Sequence, residues 1–404
     1  MGVIQIKDNI YSVGVLDPKL RVFDIIMETT HGSTYNSYLI KTADNKAIII
    51  DGVKEPFSEE WLENIKSLVK PEEISAIIVN HTEPDHSGSI KDLIEINPDI
   101  KVFGSFLALK NLENITNREL NKHQISDGEE YKFEDVTLRF IVVPNVHWPD
   151  TIITYYVEKN VAFTCDFLGE HYCPPSMFLS EIKNKENYDY AFQYYFDTIM
   201  GPFKKDVRTA IGKLNDLDVD AVYPSHGPFL DEKSAVMQGI RKYSTWSITK
   251  RRIRPKITIA YVSSYGYTRK LAETMAKEIN KKNVDLFVYD LQITKIESVA
   301  EEIANSDGIL IGSPTFIGDA LKNVYDLLNS LNPFLVRGKL FTAFGSYGWS
   351  GEAVPNLLVR AKQLRMVTPD EGFRVKLNPS EQELEEARAF AEAFLQKVRE
   401  NFKI

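Results

Sequence analysis

Imidazoles and carboxylates gather in this sequence at the ends of apolar runs, and those side chains can do chemistry together. The run 74–80 (ISAIIVN) delivers His81-Thr82-Glu83-Pro84-Asp85-His86. A strand-like run over 138–143 precedes Val146-His147-Trp148-Pro149-Asp150, one over 160–164 ends in Thr164-Cys165-Asp166, and one over 219–223 precedes Pro224-Ser225-His226-Gly227. All four segments follow a predicted strand, so their side chains can meet along one edge of a β-sandwich. The converging set holds four imidazoles (His81, His86, His147, His226) and three carboxylates (Glu83, Asp85, Asp166). It suits two metal ions, each with two His and one terminal carboxylate, sharing a bridging carboxylate. Each ion then keeps an open position for substrate, as catalytic sites require. Two His and one carboxylate per metal is also the ligand set of non-haem iron sites that handle oxygen.

Composition removes competing readings. The chain has 404 residues, 43% of them hydrophobic, and a net charge of −9, which gives no electrostatic footprint for nucleic acid or anionic lipid. No apolar run approaches the length of a membrane span, and Met1–Ile6 shows neither a secretory nor a myristoylation pattern, so a cytoplasmic location is expected. Only Cys165 and Cys173 occur, which excludes a disulfide framework, a four-cysteine zinc site and an iron–sulfur cluster held by this chain alone. Any metal rests on His, Asp and Glu.

All seven histidines lie at or before residue 226, which predicts two domains of different chemistry. The seam is expected near 250–255, where Lys250-Arg251-Arg252-Ile253-Arg254-Pro255 precedes an apolar strand; the domains are set at 1–252 and 253–404. In the first, strand patterns run over 10–15, 35–40, 47–52 and 74–80. In the second, strands at 256–262, 284–289, 307–312, 339–345 and 373–377 alternate with helical spacing at 268–281, 297–305, 319–331 and 352–364. Leu271, Met275 and Ile279 recur on one helix face, and Ser380 with Glu383 forms a capping box before the last helix. Five strands with helices between them predict a doubly wound parallel sheet, whose ligands bind beyond the carboxyl ends of the strands.

Three loops lie there. Ser263-Ser264-Tyr265-Gly266-Tyr267-Thr268 opens directly into a helix, where backbone N–H groups can converge on a phosphate. No Lys follows as in a Walker motif, so triphosphate hydrolysis is not expected. Ser313-Pro314-Thr315-Phe316-Ile317-Gly318 and Ser346-Tyr347-Gly348-Trp349-Ser350-Gly351 offer aromatic rings and backbone amides to either side of a flat ring system. Any one loop alone reads as an ordinary Gly-rich turn; three in this order point to a nucleotide.

This second half resembles flavodoxin, and the resemblance implies FMN held by Ser263 to Thr268, by Ser313, Pro314, Thr315, Phe316 and Gly318, and by Ser346, Tyr347, Gly348, Trp349 and Gly351. The turn is SSYGYT where T-x-T-G-x-T is commoner, so Tyr265 replaces the middle Thr. The first half is similar to the metallo-β-lactamase fold, an αββα sandwich whose signature reads H-x-H-x-D-H. Here the pattern is H-x-E-x-D-H, and a hard anionic oxygen at Glu83 favours iron over zinc. That substitution, the HWPD and SHG segments and the fused flavodoxin-like half resemble the flavodiiron proteins (A-type flavoproteins) over essentially the whole chain. The resemblance implies one iron on His81, Glu83 and His147 and another on Asp85, His86 and His226, with Asp166 bridging. It also implies reduction of O2 to water or NO to N2O, with FMN resupplying electrons.

The family further implies a head-to-tail homodimer, alone or as a dimer of dimers, with Trp148 and Trp349 near the contact. The electron donor is expected to be external, rubredoxin or a reduced deazaflavin, and a basic patch at 250–254 would help an acidic one. His171 and Tyr195 are read as proton donors overlooking the site, His31 as a weaker candidate, and Tyr194 and Phe196 as core. His123 is read as an ordinary surface residue and Asp51 as a brace for the loop 81–86. Strand alternation would turn Cys165 away from Asp166 into the core. The alternatives are a zinc hydrolase with a flavin accessory domain, against which Glu83 argues, and an electron-transfer module without metal, against which the full ligand set argues.

Overall fold

The computed structural model describes residues 2–24, 27–249 and 252–402. The chain divides into two compact units, Met1–Thr249 and Lys250–Ile404.

The first unit is built from apolar strands that cannot leave either face in water. In Ile74–Val79 every residue but Ser75 is buried, so both faces of that strand are covered. It lies inside a seven-stranded sheet in the order Ile4–Lys7, Ile10–Ser12, Tyr38–Lys41, Ala47–Ile50, Ile74–Val79, Lys101–Gly104, Lys122–Gln124. The last four strands run parallel. A second sheet of five strands runs Glu130–Phe133, Val136–Val142, Ile152–Tyr156, Val161–Cys165, Ala221–Pro224. Ile40, Ile48, Ile78 and Phe103 of the first sheet pack on Phe140, Phe163 and Tyr223 of the second. Trp61, Leu93 and Leu112 cover the outer face of the first sheet, and Phe192, Val207, Ile211 and Tyr243 that of the second. The result is a helix–sheet–sheet–helix sandwich. Each fully buried Ile or Phe contributes about 1.5–3 kcal/mol of transfer free energy to it.

Two strands predicted as continuous are broken. The pattern over 10–15 splits into Ile10–Ser12 and Val15–Asp17 because the chain passes so close at Gly14 that a Cβ there would lie 2.3 Å from the Tyr35 carbonyl. The pattern over 35–40 splits into Ser33–Tyr35 and Tyr38–Lys41. Between them Asn36 leaves the sheet: its N–H donates to the Ser225 carbonyl (2.8 Å) and its Nδ2 to the carbonyls of Pro224 (2.8 Å) and Gly227 (2.9 Å). A short hairpin, Val22–Phe23 with Met27–Glu28, was not foreseen.

The second unit is a five-stranded, wholly parallel sheet in the order Asp285–Asp290, Lys256–Tyr261, Gly308–Gly312, Leu340–Tyr347, Phe373–Lys376. Helices Tyr267–Asn280 and Glu381–Asn401 seal one face; Ile296–Ala304, Lys322–Ser330 and Ala353–Gln363 seal the other. Leu271, Met275 and Ile279 are all fully buried. The Ser380 capping box forms, Glu383 Oε2 accepting from the Ser380 N–H at 2.8 Å. A short helix, Pro333–Val336, adds an element the periodicity did not reveal. Of the basic run at the seam, Lys250 and Arg251 lie outside the described residues. Arg252 pairs with Asp307 and Arg254 with Asp285, each at 2.6 Å, so these two charges are spent within the second unit. Among the described residues no helix is long and apolar enough to cross a membrane.

Candidate functional site

The strand Ile74–Val79 delivers its metal-binding residue types through a buried brace. Asp51, itself buried, accepts from the Asn80 N–H (2.7 Å) and from Asn80 Nδ2 (3.0 Å), and Thr154 donates to Asn80 Oδ1 (2.6 Å). The backbone entering His81 is thereby fixed from three sides. Burial raises Asp51 to about 6, with nearby imidazoles and these hydrogen bonds opposing the rise. Beyond it Pro84 opens a single helical turn, Pro84–Ser87, a position where its missing N–H costs nothing. That turn puts Asp85 and His86 beside His81 and Glu83.

The seven residues named from the sequence meet in two groups, His81, Glu83, His147 and Asp166 in one and Asp85, His86 and His226 in the other. Asp166 reaches into both. Its Oδ2 lies 3.5 Å from His81 Nε2 and 3.2 Å from His147 Nε2, while its Oδ1 lies 3.1 Å from His86 Nε2 and 3.5 Å from His226 Nε2. Glu83 Oε2 approaches His81 (3.3 Å) and His147 (3.0 Å), and the Asp85 oxygens approach His86 (3.4 Å) and His226 (3.1 Å). Donor atoms held at ~2.1 Å from a shared ion sit roughly 3.0–3.4 Å from one another, close to the 3.0–3.5 Å seen here. Both oxygens of Asp85, Oδ2 of Asp166 and Nδ1 of His86 are buried without a hydrogen-bond partner. Such orphans are costly in a dry interior unless an ion or water takes them up. The donor set therefore fits two divalent ions.

Outer partners orient the imidazoles. His81 Nδ1 meets Asp150 Oδ1 at 3.1 Å, and Asp150 also accepts from the Thr82 N–H (2.9 Å) and hydroxyl (2.5 Å). His226 Nδ1 meets the Thr34 carbonyl at 2.6 Å. Each contact turns Nε2 inward. Burial alone would depress His81, His86 and His147; the facing carboxylates outweigh it and lift them to about 9, 9 and 10. Burial conversely raises Glu83 and Asp166, yet the same imidazoles pull both below the usual carboxylate range. With no ion, the cluster neutralises itself as imidazolium–carboxylate pairs.

His171 and Tyr195 stand beside the second group. The His171 ring lies 4.6 Å from the His226 ring and 5.1 Å from that of Tyr195, and its Nδ1 meets Ser33 Oγ at 2.9 Å while Nε2 has no partner. Burial pushes His171 well down and the Tyr195 hydroxyl well up, so both are neutral at pH 7. His31 is farther out, edge-on to Tyr172 and sharing a small cavity with His171. Trp148 packs edge-to-face with His81, their ring centroids 5.0 Å apart. His123 is bonded to Glu129 at 2.7 Å, away from the cluster.

Cys165 departs from the sequence expectation. Its φ of +51° breaks the strand alternation, and its sulfur lies within 4.8 Å of donor atoms of His86 and Asp166 instead of facing away. Four contributors were missed: Asp150, seen in the sequence but given no role; Ser33 and Thr34, behind His226; and Asp24, hydrogen-bonded to Glu83 and raised to about 6 chiefly by burial. Only the position of Asp150, three residues after His147, carried a signal in the sequence.

In the second unit a cleft of about 510 Å³ opens beyond the carboxyl ends of the strands. Its wall takes Tyr265 and Tyr267 from the first loop, Pro314, Thr315, Phe316 and Gly318 from the second, and Ser346, Tyr347, Gly348 and Trp349 from the third. Ile317, Ser350 and Leu377 complete it and were not foreseen. Ser263, Ser264, Gly266, Thr268, Ser313 and Gly351 do not line it. Three of them also brace the loops: Ser263 Oγ accepts from the Arg269 N–H (3.2 Å), Thr268 and Ser346 hydroxyls meet at 3.0 Å, and Ser313 Oγ accepts from the Leu321 N–H (3.0 Å). Gly266, at φ +85°, turns the chain into helix Tyr267–Asn280, whose first N–H groups lack intrahelical partners. Tyr265 and Phe316 stack at 6.2 Å. A helix N-terminus, hydroxyls and aromatic rings with no charged side chain in the wall fit a phosphate-bearing planar cofactor.

The sequence of the first unit matches the family model described as ODP family beta lactamase over residues 34–227, and the second matches Flavodoxin over residues 259–390. The chain is 39% identical to flavo-diiron protein FprA2 of Clostridium acetobutylicum, across 98% of this chain and 100% of that one. It is 36% identical to type A flavoprotein fprA of Rhodobacter capsulatus, across 96% and 90%. Among solved structures it superposes on the flavodiiron protein from Giardia intestinalis with a TM-score of 0.66 at 27% identity, covering 98% and 97% of the two chains. The fold is shared with rubredoxin oxygen:oxidoreductase from Desulfovibrio gigas, at a TM-score of 0.70, 24% identity and full coverage of both.

Proposed function

The chain belongs to the flavodiiron (type A flavoprotein) family, and from that premise we propose that it reduces O2 to water, NO to N2O or both at a pair of iron ions, with electrons delivered through FMN. The observation that carries the reading is Asp166, whose two oxygens each face two imidazole Nε2 atoms. The ions would supply two adjacent open positions and two electrons to a diatomic oxidant, and the flavin a two-electron store.

The residues of the chain do the rest. His81, Glu83 and His147 would hold one ion and Asp85, His86 and His226 the other, and Asp166 would serve both. Asp150 and the Thr34 carbonyl keep His81 and His226 presenting Nε2 to the ions. His171, held through Nδ1 by the Ser33 hydroxyl at 2.9 Å and neutral like the Tyr195 hydroxyl, stands with Tyr195 beside the site as a relay for protons. Phe23, its ring tilted over that of His171 with centroids 4.1 Å apart, helps exclude bulk water. The first loop and the helix start would hold the flavin phosphate, and Tyr265, Phe316, Tyr347 and Trp349 would contact the ring. The boundary of the two functional halves is set at 252/253, three residues past the end of the first compact unit at Thr249.

The donor is an external redox partner, rubredoxin or a reduced deazaflavin, and the working form a head-to-tail homodimer, alone or paired, with Trp148 and Trp349 near the contact. The protein works in the cytoplasm. A zinc hydrolase is disfavoured because Glu83 places a third anionic ligand where that chemistry uses a neutral imidazole.

The deciding experiment is anaerobic reoxidation of the reduced protein by stopped flow, with O2 and NO in separate syringes and iron and FMN quantified beforehand. Two irons per chain with fast flavin reoxidation by either gas supports the reading. Zinc in place of iron, with no reductase activity after iron reconstitution, overturns it.

A further inference from the structure

One edge of the flavin cleft is a turn under strain. Phe316 and Asp319 exchange backbone hydrogen bonds, N–H of 316 to C=O of 319 at 2.8 Å and the reverse at 3.0 Å. The two residues they enclose, Ile317 and Gly318, both have positive φ, +50° and +73°. Glycine adopts that conformation freely, but a β-branched residue does so at a cost. Ile317 is moreover fully exposed, so no packing within the unit offsets the strain. Strain of this kind persists only where the surroundings over-determine it, and it gathers at ligand clamps.

Asp319 supplies the over-determination. Its Oδ1 accepts three hydrogen bonds: from the Ala320 N–H (2.8 Å), the Tyr325 hydroxyl (2.6 Å) and Asn356 Nδ2 (2.9 Å). Tyr325 belongs to helix Lys322–Ser330 and Asn356 to helix Ala353–Gln363, so one oxygen ties the turn to two helices and to its own exit. We propose that Asp319 is a positioning residue for the cofactor, its carboxylate oxygen holding the strained turn so that Phe316 and Ile317 form a rigid apolar wall ready for the flavin ring. A pre-formed wall binds more tightly because its ordering is complete before the ligand arrives. This inference rests on the flavin reading of the cleft.

The test uses the full chain stripped of FMN, with rebinding followed by quenching of flavin fluorescence and stability by urea unfolding of the flavin-free form. Asp319→Ala weakens FMN binding at least about tenfold, and Asp319→Asn, which keeps an oxygen acceptor, stays within about threefold of the native chain. Ile317→Gly relieves the strain, so the flavin-free chain is as stable or more so while FMN binding weakens. Tyr325→Phe and Asn356→Ala, which each remove one tie, give intermediate losses even if Asp319→Ala folds poorly. Native-like FMN binding in Asp319→Ala overturns the proposal, as does Asp319→Asn binding no better than Asp319→Ala. So does a loss of binding matched by an equal loss of stability in the flavin-free form. Failure of the native chain to bind FMN would overturn the flavin reading itself, a separate and recognisable result.

Discussion

In the first unit seven ionisable side chains face one another at 3.0–3.5 Å in buried surroundings, whereas no charged side chain enters the wall of the cleft in the second. The metal cluster is an assembly of side chains brought from four strand ends. The flavin cleft is an assembly of backbone turns, with left-handed glycines such as Gly266 and Gly318 allowing the curvature. The difference shows two ways of holding an ion. Divalent cations need anionic donors close at hand, and the folded chain carries the cost of crowding them until metal arrives. A phosphate needs only N–H dipoles and hydroxyls, and these cost little to leave exposed.

The contrast is broken most directly at Asp166. Asp166→Ala removes the one carboxylate shared by both groups, so iron content falls from two per chain to below one and gas reduction falls at least about 100-fold. FMN content stays at the native level. Elemental analysis beside flavin absorbance checks this, and retention of both irons would show that the two groups are independent sites.

A step smaller, Asp150→Asn leaves every direct donor in place and loosens only the His81 ring. Iron affinity at that group falls about 10–100-fold, the usual range for an outer partner, with flavin affinity unchanged. Competition with a chelator measures it.

The pH response separates the sites without mutation. His81, His86 and His147 stand at about 9, 9 and 10, above the ordinary imidazole value. A raised imidazole stabilises the folded state fully below its unfolded value of ~6.5 and loses that contribution as pH climbs through the folded one. Metal-free protein is therefore expected to lose stability between pH 7 and pH 10. The iron-loaded form keeps it, because the ions replace the protons. Binding of iron at pH 7 releases protons from these three imidazoles, seen as heat that depends on the buffer. FMN affinity is level between pH 7 and about pH 8, since its phosphate is already mostly doubly charged and no side chain charged at neutral pH enters the cleft wall. A metal-free unfolding midpoint that does not fall above pH 8 would count against the self-neutralised cluster.

Two small effects sharpen the other side. Gly266→Ala meets no atom within 4 Å of its new Cβ, so its penalty is conformational, about 1 kcal/mol at φ +85°, and FMN binding weakens roughly fivefold. Trp349 is 97% exposed, so Trp349→Ala shifts thermal stability by no more than about 0.5 kcal/mol. Any larger change there would mean the residue is packed in the assembled protein.

Legibility in the sequence followed the same division. His81 to His86 could be read because strand periodicity fixes where a run ends, and polar residues bunched there have few structural uses. The doubly wound sheet was legible from strand and helix periods alone, and Leu271, Met275 and Ile279 fell on the buried face those periods assign. Cys165 was misplaced because a single left-handed residue cancels an alternation that the sequence states only on average. The breaks at Gly14 and Asn36 were hidden because both depend on residues far along the chain, the second on Pro224, Ser225 and Gly227. In the flavin half the loops were found from their hydroxyls, glycines and aromatic rings, whereas Ile317 and Leu377, which carry no polar signal, line the cleft unforeseen.

By itself, then, the sequence determined the two folds and the inventory of donors, because periodicity and residue type are local properties that burial makes strict. Tertiary structure alone decided that Asp166 lends one oxygen to each group, that Asp150 and Thr34 aim the imidazoles, and that Asp319 locks a strained turn at the flavin wall. Those arrangements depend on distances between residues tens to hundreds of positions apart, and only the closed chain sets such distances.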